Sequence, residues 1–161
     1  MSSEAGSSTP CDPSFRIARV SYLAAIIALL ADDELGAKRE DTSAAGLKAY
    51  KRAFSDIAAD KNNEIIVAEI DGEVVGCLQL TLMPGLSYGG GKRAQLEAIR
   101  VARNYRGKAI GHKLIAFAIA RARTRGAFMM QLTSNTARDD AHRFYQGLGF
   151  SASHTGFKLI L

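Results

Sequence analysis

Tryptophan is absent from this chain of 161 residues, and aromatic residues make up only 7% of it. Proteins that hold single-stranded nucleic acid stack its bases on aromatic platforms, so that mode of binding is poorly supplied. Cysteine is almost as scarce, and Cys11 and Cys77 form no CxxC pair. His112, His142 and His154 fall at no ligand spacing and have no cysteine or carboxylate cluster beside them. No metal site is therefore expected, and both cysteines read as free thiols. Long hydrophobic runs are missing too. The longest, residues 22–31, is far short of the roughly 20 residues a membrane helix needs, and no basic flank or cleavage pattern precedes it. The expectation is a soluble, cytoplasmic chain with neither membrane nor nucleic acid among its partners.

What the chain does have is positive charge: 21 Lys and Arg against 16 Asp and Glu, for a net +5. An anionic partner follows from that balance. The charges are spread along the chain, and no helix-turn-helix, RNA-binding or zinc-finger pattern gathers them. The run Gly89-Gly90-Gly91-Lys92 invites comparison with the nucleotide loop GxxxxGK[ST]. It fails, because Leu86 stands where glycine is needed and Arg93 replaces the magnesium-binding Ser or Thr. A loop tip or substrate flap is the better reading.

Residues 1–13, rich in Ser, Gly and Pro, read as an unstructured leader, and residues 14–161 as a single domain. Within it, Phe15 and Ile17 suggest a first strand. Ser21 is placed to cap a helix carrying Leu23, Ile26, Ile27 and Leu30, which Gly36 would end. A second helix is expected over residues 45–59, with Leu47, Tyr50, Phe54 and Ile57 on one stripe. Residues 65–70 and 74–82 flank Asp71-Gly72, a strong hairpin turn. Another strand is expected over residues 127–133. Thr136 and Asp139 look like the start of a helix over residues 137–146, stopped by Gly147 and Gly149. Phe150 and residues 156–161 would supply one or two closing strands. The fold class is α/β (α+β), with a mixed, mostly antiparallel central sheet and helices on both faces.

The most informative stretch is residues 96–125. Aliphatic strand residues give way to the basic turn Arg103-Asn-Tyr-Arg-Gly-Lys-Ala-Ile-Gly111 and then to a helix striped by Ile110, Leu114, Phe117, Ala118 and Ala122. The first N–H groups of a helix lack internal partners, and the helix dipole adds positive charge there. A pyrophosphate or phosphate would lodge at such a point, with Arg103, Arg106, Lys108 and Lys113 around it.

Two patterns sharpen this reading. One is Val101-x4-Arg106-x-x-Ala109-x-Gly111; the other is Asn135 followed by Ala141-His-Arg-Phe144-Tyr145-x3-Gly149-Phe150. In this order and in these strand–helix contexts they resemble the GNAT superfamily of acetyl-CoA-dependent N-acetyltransferases, its pyrophosphate loop (Q/R)-x-x-G-x-(G/A) and its AxxFYxxxGF segment. The second is especially similar to bacterial small-molecule members, including aminoalkylphosphonate acetyltransferases. Ala109 departs from the pattern, standing where the family has its first glycine; with ordinary helical angles it would still present its N–H.

The resemblance implies acetyl-CoA as co-substrate. Main-chain N–H groups of Arg106, Gly107, Lys108, Ala109, Ile110 and Gly111 would cradle its pyrophosphate. The backbone of Ile99, Arg100 and Val101 would bind the pantetheine arm as an added strand does, where neighbouring strands splay apart. Asn135 would contact the pantetheine amides, and Arg143 or the basic residues of the loop would meet the 3′-phosphate. Tyr145 resembles the family's general acid, a phenol close in pKa to the departing thiol; the plainer reading is a core aromatic beside Phe144. Glu97 would draw the amine proton, directly or through water, unless it is a solvated carboxylate or a partner of Arg100. The implied reaction is direct acetyl transfer to a primary amine, most simply that of a small molecule. A protein lysine or N-terminus as acceptor, a non-catalytic acyl-CoA-binding module, a pocket role for His154, and a homodimer through Leu159-Ile160-Leu161 stay open.

Overall fold

The computed structural model describes residues 12–161. Its centre is a hairpin, β2 (Asn63–Ile70) and β3 (Glu73–Met83). Asp71 and Gly72 turn it with φ of 49° and 82°, the paired positive angles that match strand twist in a two-residue loop. The remaining strands β1 (Ser14–Ile17), β4 (Lys92–Val101) and β5 (Ala127–Leu132) complete one sheet in the order β1-β2-β3-β4-β5. All neighbours are antiparallel except β4 and β5, which run parallel.

Both faces of the hairpin are buried, and its alternation decides which helix covers which face. Val67, Val74 and Cys77 meet Ile26 and Leu29 of helix α1 (Leu23–Ala31). On the other face Ile66, Ala68, Leu78, Leu80, Leu82, Ala94 and Leu96 form one cluster with Leu114, Ile115, Ala118 and Ala122 of helix α5 (Ile110–Thr124). Between them lie the short α2 (Glu34–Arg39), α3 (Ala44–Ala59), which adds Phe54 to Leu23 and Ile27 of α1, and a single turn α4 (Ser87–Gly90). Each of these Leu and Ile side chains contributes about 1.5–3 kcal/mol by leaving water. Helix α6 (Asp139–Gly147) follows β5. No helix among the described residues is long and apolar enough to cross a membrane.

The mixed, mostly antiparallel sheet with helices on both faces matches the expectation; several boundaries do not. Gly36 does not end the first helix. Asp32 closes α1, and Gly36 lies inside α2, where its N–H bonds Asp33 Oδ1 at 2.6 Å. A Cβ there would stand 2.0 Å from the Leu30 carbonyl oxygen, so glycine is required by close packing. Thr136 does not cap α6, which starts later with Arg138 at its N-cap and no side-chain bond. The turn before it is made by Asn135, whose Oδ1 accepts from Ala137 N at 2.9 Å.

The expected closing strands at Phe150 and 156–161 are absent: no regular structure follows α6, and residues 151–161 are exposed. Phe150 packs against Tyr145 and the core, whereas Phe157, Leu159, Ile160 and Leu161 stay exposed. Cys11 and most of the expected leader lie outside the described residues; Cys77 is a free, buried thiol.

Candidate active site

The parallel pairing of β4 with β5 runs from Lys92 and Ala127 to Leu96 and Leu132 and then stops, while β4 continues to Val101. The two strands part at this point. On the other side, the register with β3 shifts between Cys77 and Gln79, which face Arg100 and Glu97. Ala98 and Ile99 thus stand opposite Leu78 alone, a β-bulge with Ala98 at φ 52°. Bulges bend a strand and increase its twist, which turns the end of β4 away from β5. Beyond the bulge, Ala102 N–H donates to Val75 O at 2.8 Å. Alternation then turns the backbone groups of Ile99 and Val101 toward the open edge. Their carbonyls accept from Arg100 Nη1 at 2.9 Å and Arg106 Nε at 3.0 Å. The edge points into the gap left by β5.

At the end of that edge lies the loop to α5. One 3₁₀ turn (Arg103–Tyr105) leads into Gly107 at φ 76° and Ala109 at φ 59°, ψ 8°. Ala109 is therefore left-handed, contrary to the expected helical angles. The L side chain costs about 1–2 kcal/mol in that region, and only the loop's shape requires it. Ala109 is the N-cap of α5 and gives no side-chain bond. The N–H groups of Gly107, Lys108, Ala109, Ile110, Gly111 and His112 donate to no protein acceptor among the described residues. Arg106 is the exception within the expected cradle, since its N–H closes the 3₁₀ turn on Arg103 O at 3.3 Å.

The basic residues around the loop are mostly engaged. Asp32, at the end of α1, accepts from Arg103 N at 3.1 Å and from Arg106 Nη2 at 3.3 Å. Lys113 pairs with Asp12, and Lys108 Nζ sits 5.1 Å from the centre of the Tyr105 ring. The arginines thus fasten the loop to α1, and what the loop leaves without a partner is its amides. Gly111 has a different task. A Cβ there would come within 3.2 Å of Phe144 Cζ, so this glycine lets α6 pack against the start of α5.

Tyr145 is half-buried between Phe144 and Phe150, with ring centroids 5.3 and 6.0 Å away. Burial pushes its pKa up, and the charges of Arg138 and Arg100 pull it part of the way back. Tyr145 packs against the same core cluster as Ile99 and Val101. Arg100 pairs with Asp33 at 3.6 Å, yet its Nε is buried without a hydrogen bond. Asp33 in turn has a lowered pKa because Gly36 N–H bonds it, against some desolvation and with help from Arg100, Arg138 and Arg39. Glu97 is exposed on β4, opposite Gln79. Since Leu96 points to α5, Glu97 points to the face of α1 and α3. Asn135 is exposed, with its carbonyl oxygen held in the turn and its side-chain NH₂ left to donate. Arg143 pairs with Asp140 on the exposed side of α6. His154 Nδ1 meets Ser153 Oγ at 2.8 Å in the exposed tail.

The model of the acetyltransferase (GNAT) family matches residues 25–150, a span that contains the bulge, the loop and Tyr145. The chain belongs to the acetyltransferase (GNAT) family. It is an acyl-transferring enzyme by that membership. An aminoalkylphosphonate N-acetyltransferase of Salmonella typhimurium is 34% identical over 114 residues, 71% of this chain and 73% of that protein. A crystal structure of a Bacillus halodurans protein described as a transcriptional regulator has 45% identity and a TM-score of 0.89, covering 92% of this chain and 99% of its own. An aminoglycoside N-acetyltransferase in complex with CoA shares the fold at 15% identity, with a TM-score of 0.79 over 96% of this chain and 97% of its own.

The motifs named candidate residues on β4, the loop and α6. The contacts of Asp32 with Arg103 and Arg106 and of Asp33 with Arg100 were not visible there, because they join segments far apart in sequence.

Proposed function

We propose that the enzyme transfers the acetyl group of acetyl-CoA to the primary amine of a small molecule, by direct attack within a ternary complex. The observation that carries this is one continuous feature: the edge of β4 at Ile99 and Val101, paired with no further strand, leads to the unpartnered amides of residues 107–112, and Tyr145 packs on the same core as that edge. A diphosphate fits the amides, and an extended amide-bearing arm fits the strand edge. The thioester supplies an activated acyl group and a good leaving group.

The chain's own residues then have three tasks. Ile99 N–H, turned to the gap, donates to the oxygen on which negative charge develops; such a donor is worth roughly 2.7–4 kcal/mol. Tyr145, kept protonated by burial, hands its proton to the departing sulfur. Glu97 draws the proton from the incoming amine through water, consistent with its exposure. Asn135 Nδ2 donates to the arm, and Arg143 with Lys108 meets the 3′-phosphate from the surface. A covalent relay through Cys77 is disfavoured by position and chemistry. The thiol is 1% exposed, and burial raises its pKa to about 12 against a small opposing pull from Arg100.

For the acceptor, Arg100 and Arg138 are the relevant side chains. Both act on Tyr145, and Arg100 keeps a buried N–H without an acceptor. An amine carrying an anionic group would place that group against these guanidiniums, and the name of the Salmonella relative fits this chemistry. The test is thiol release from acetyl-CoA with aminoalkylphosphonates, amino acids, polyamines and basic peptides as acceptors. Turnover should be highest with the small anionic amines. Preference for peptides would move the acceptor to a protein lysine or N-terminus, and CoA binding without release from any of them would leave a binding module.

A further inference from the structure

The edge of β4 that faces the gap is capped by two side chains. Arg106 Nε donates to Val101 O at 3.0 Å, and Arg100 Nη1 donates to Ile99 O at 2.9 Å. A strand edge that has lost its neighbour leaves carbonyls in want of donors, and a side-chain N–H satisfies them as a neighbouring strand would. These caps stand where an added strand has to bond. An extended ligand pairs at either carbonyl only when its own N–H takes the place of a guanidinium.

The two caps are held with different firmness. The Arg100 side chain is 13% exposed and pairs with Asp33 at 3.6 Å, so moving it would strand a largely buried charge. The Arg106 side chain is 47% exposed, and water replaces what it gives up at small cost. Its carboxylate partner is Asp32, whose Oδ2 lies 3.3 Å from Nη2 and also accepts from Arg103 N at 3.1 Å. Asp32 therefore keeps a hydrogen bond when Arg106 departs. Directly after Arg106 come the amides of residues 107–112, which donate to no protein acceptor among the described residues. A diphosphate lodged there carries more charge than the one carboxylate of Asp32. It also offers the guanidinium charged oxygens in place of the neutral Val101 carbonyl, and charge-assisted bonds are the stronger kind.

We propose that Arg106 is an exchangeable cap. With the cleft empty it closes the β4 edge at Val101; when acetyl-CoA enters it passes to the diphosphate, and Val101 O is freed to accept an N–H of the arm. This rests on the coenzyme reading given above. Arg100 stays on Ile99 O and marks the end of the paired stretch. One movement thus serves both halves of the coenzyme, because the diphosphate draws the cap off the carbonyl that the arm needs. A ligand with the arm but no phosphate has to displace the same cap with nothing to receive it.

Two ligands separate the steps: S-acetylpantetheine has the arm and thioester without phosphate, and acetyl-CoA has both. Each is titrated calorimetrically into the unaltered chain and into R106M, with initial slopes compared where saturation is not reached. R106M should bind S-acetylpantetheine about 3–10-fold more tightly, since no cap has to leave, and acetyl-CoA about 10-fold more weakly. D32N still accepts from Arg103 N but no longer holds Arg106 by charge, and should bind acetyl-CoA about 3-fold more tightly. An arginine that only fastens the loop would weaken both ligands in R106M, and one that only contacts phosphate would leave S-acetylpantetheine unchanged. Either result overturns the proposal, as does D32N with unchanged or weaker acetyl-CoA binding. So does a coenzyme-bound crystal structure with Arg106 Nε still on Val101 O. An unaltered chain that binds neither ligand removes the coenzyme reading itself, and the exchange with it.

Discussion

The β2–β3 hairpin and the β5–α6 segment are built from similar amounts of chain, yet they are finished to different degrees. In the hairpin Ile66, Val67, Ala68, Val75, Leu78 and Leu80 have no exposed surface at all. In β5 and α6 no residue is fully buried, although Met130, Leu132, Phe144 and Tyr145 all touch the same core. The hairpin is covered on both faces by helices; the later segment is covered on one and parts from β4 after Leu96. Stability is concentrated where packing is complete, and the chemistry proposed above falls where backbone groups and a phenol are left unmatched. A site that must admit a long, charged ligand cannot also be a closed core.

The strongest way to break that comparison is to separate the two properties by mutation. Tyr145→Phe removes one oxygen from the open segment and leaves its ring contacts in place. Turnover should fall about 10²–10⁴-fold, while the dissociation constant for acetyl-CoA and the melting temperature stay as they were. A matching loss of coenzyme affinity would make Tyr145 a binding residue and sink its assignment as the acid. Next in size is a paired truncation. Leu78→Ala, in the closed hairpin, should cost about 2–5 kcal/mol in denaturant unfolding. Met130→Ala, half-covered on β5, should cost about 1 kcal/mol. Equal losses would mean that the exposure of β5 is irrelevant to where stability resides.

A smaller effect tests the joint between the two regions. Asp33 is held ionised by the Gly36 N–H and the surrounding arginines, so its folded pKa lies below the ordinary 3.8. Between those values the unfolded chain binds the extra proton, which makes stability rise with pH there. The contribution is present above about pH 4 and is lost as pH falls through the folded value. Asp33→Asn keeps a cap on α2 but removes that titration. It should cost about 0.2–1 kcal/mol at neutral pH through the lost pairing with Arg100, and flatten the acid limb of the unfolding profile. An unchanged acid limb would show that another carboxylate sets it.

How much of this was readable in the linear chain depends on the range of the interaction involved. Asp71-Gly72 specifies its turn through two adjacent φ angles, so the hairpin could be read from two letters. The stripe from Ile110 to Ala122 is local in the same sense, and it placed α5 and hence the loop before it. Gly36 was misjudged because glycine marks a helix end only when nothing else explains it. Here the reason is the Leu30 carbonyl, brought close by a sharp break between two helices. The Asp32 bonds to Arg103 and Arg106 span more than seventy residues, beyond any pattern in a single sequence. Residues 156–161 show the opposite limit. Their β-type composition is plain, but it does not say which edge the strand would join.

Ala109 offers the finest test, because at this residue the demands of the open region fall on an unsuitable side chain. Gly107, two residues earlier, takes φ 76° without penalty, whereas Ala109 takes φ 59° with a Cβ. Ala109→Gly relieves about 1–2 kcal/mol of left-handed strain and loses about 0.5–1 kcal/mol through the freer unfolded chain. The net gain should be about 0.5–1 kcal/mol, a rise of about 2–4 °C per kcal/mol for a domain of this size. Removing the methyl group also widens the approach to the amides of residues 107–112, so acetyl-CoA should bind more tightly. The same change at Ala98, φ 52° in the bulge, should stabilise similarly, with no gain in coenzyme affinity from a wider loop. If both variants gain stability and only the loop variant gains affinity, the strain at Ala109 bears on the coenzyme's amides. If neither gains stability, the left-handed angles are not costly here, and the open region is less strained than its backbone implies.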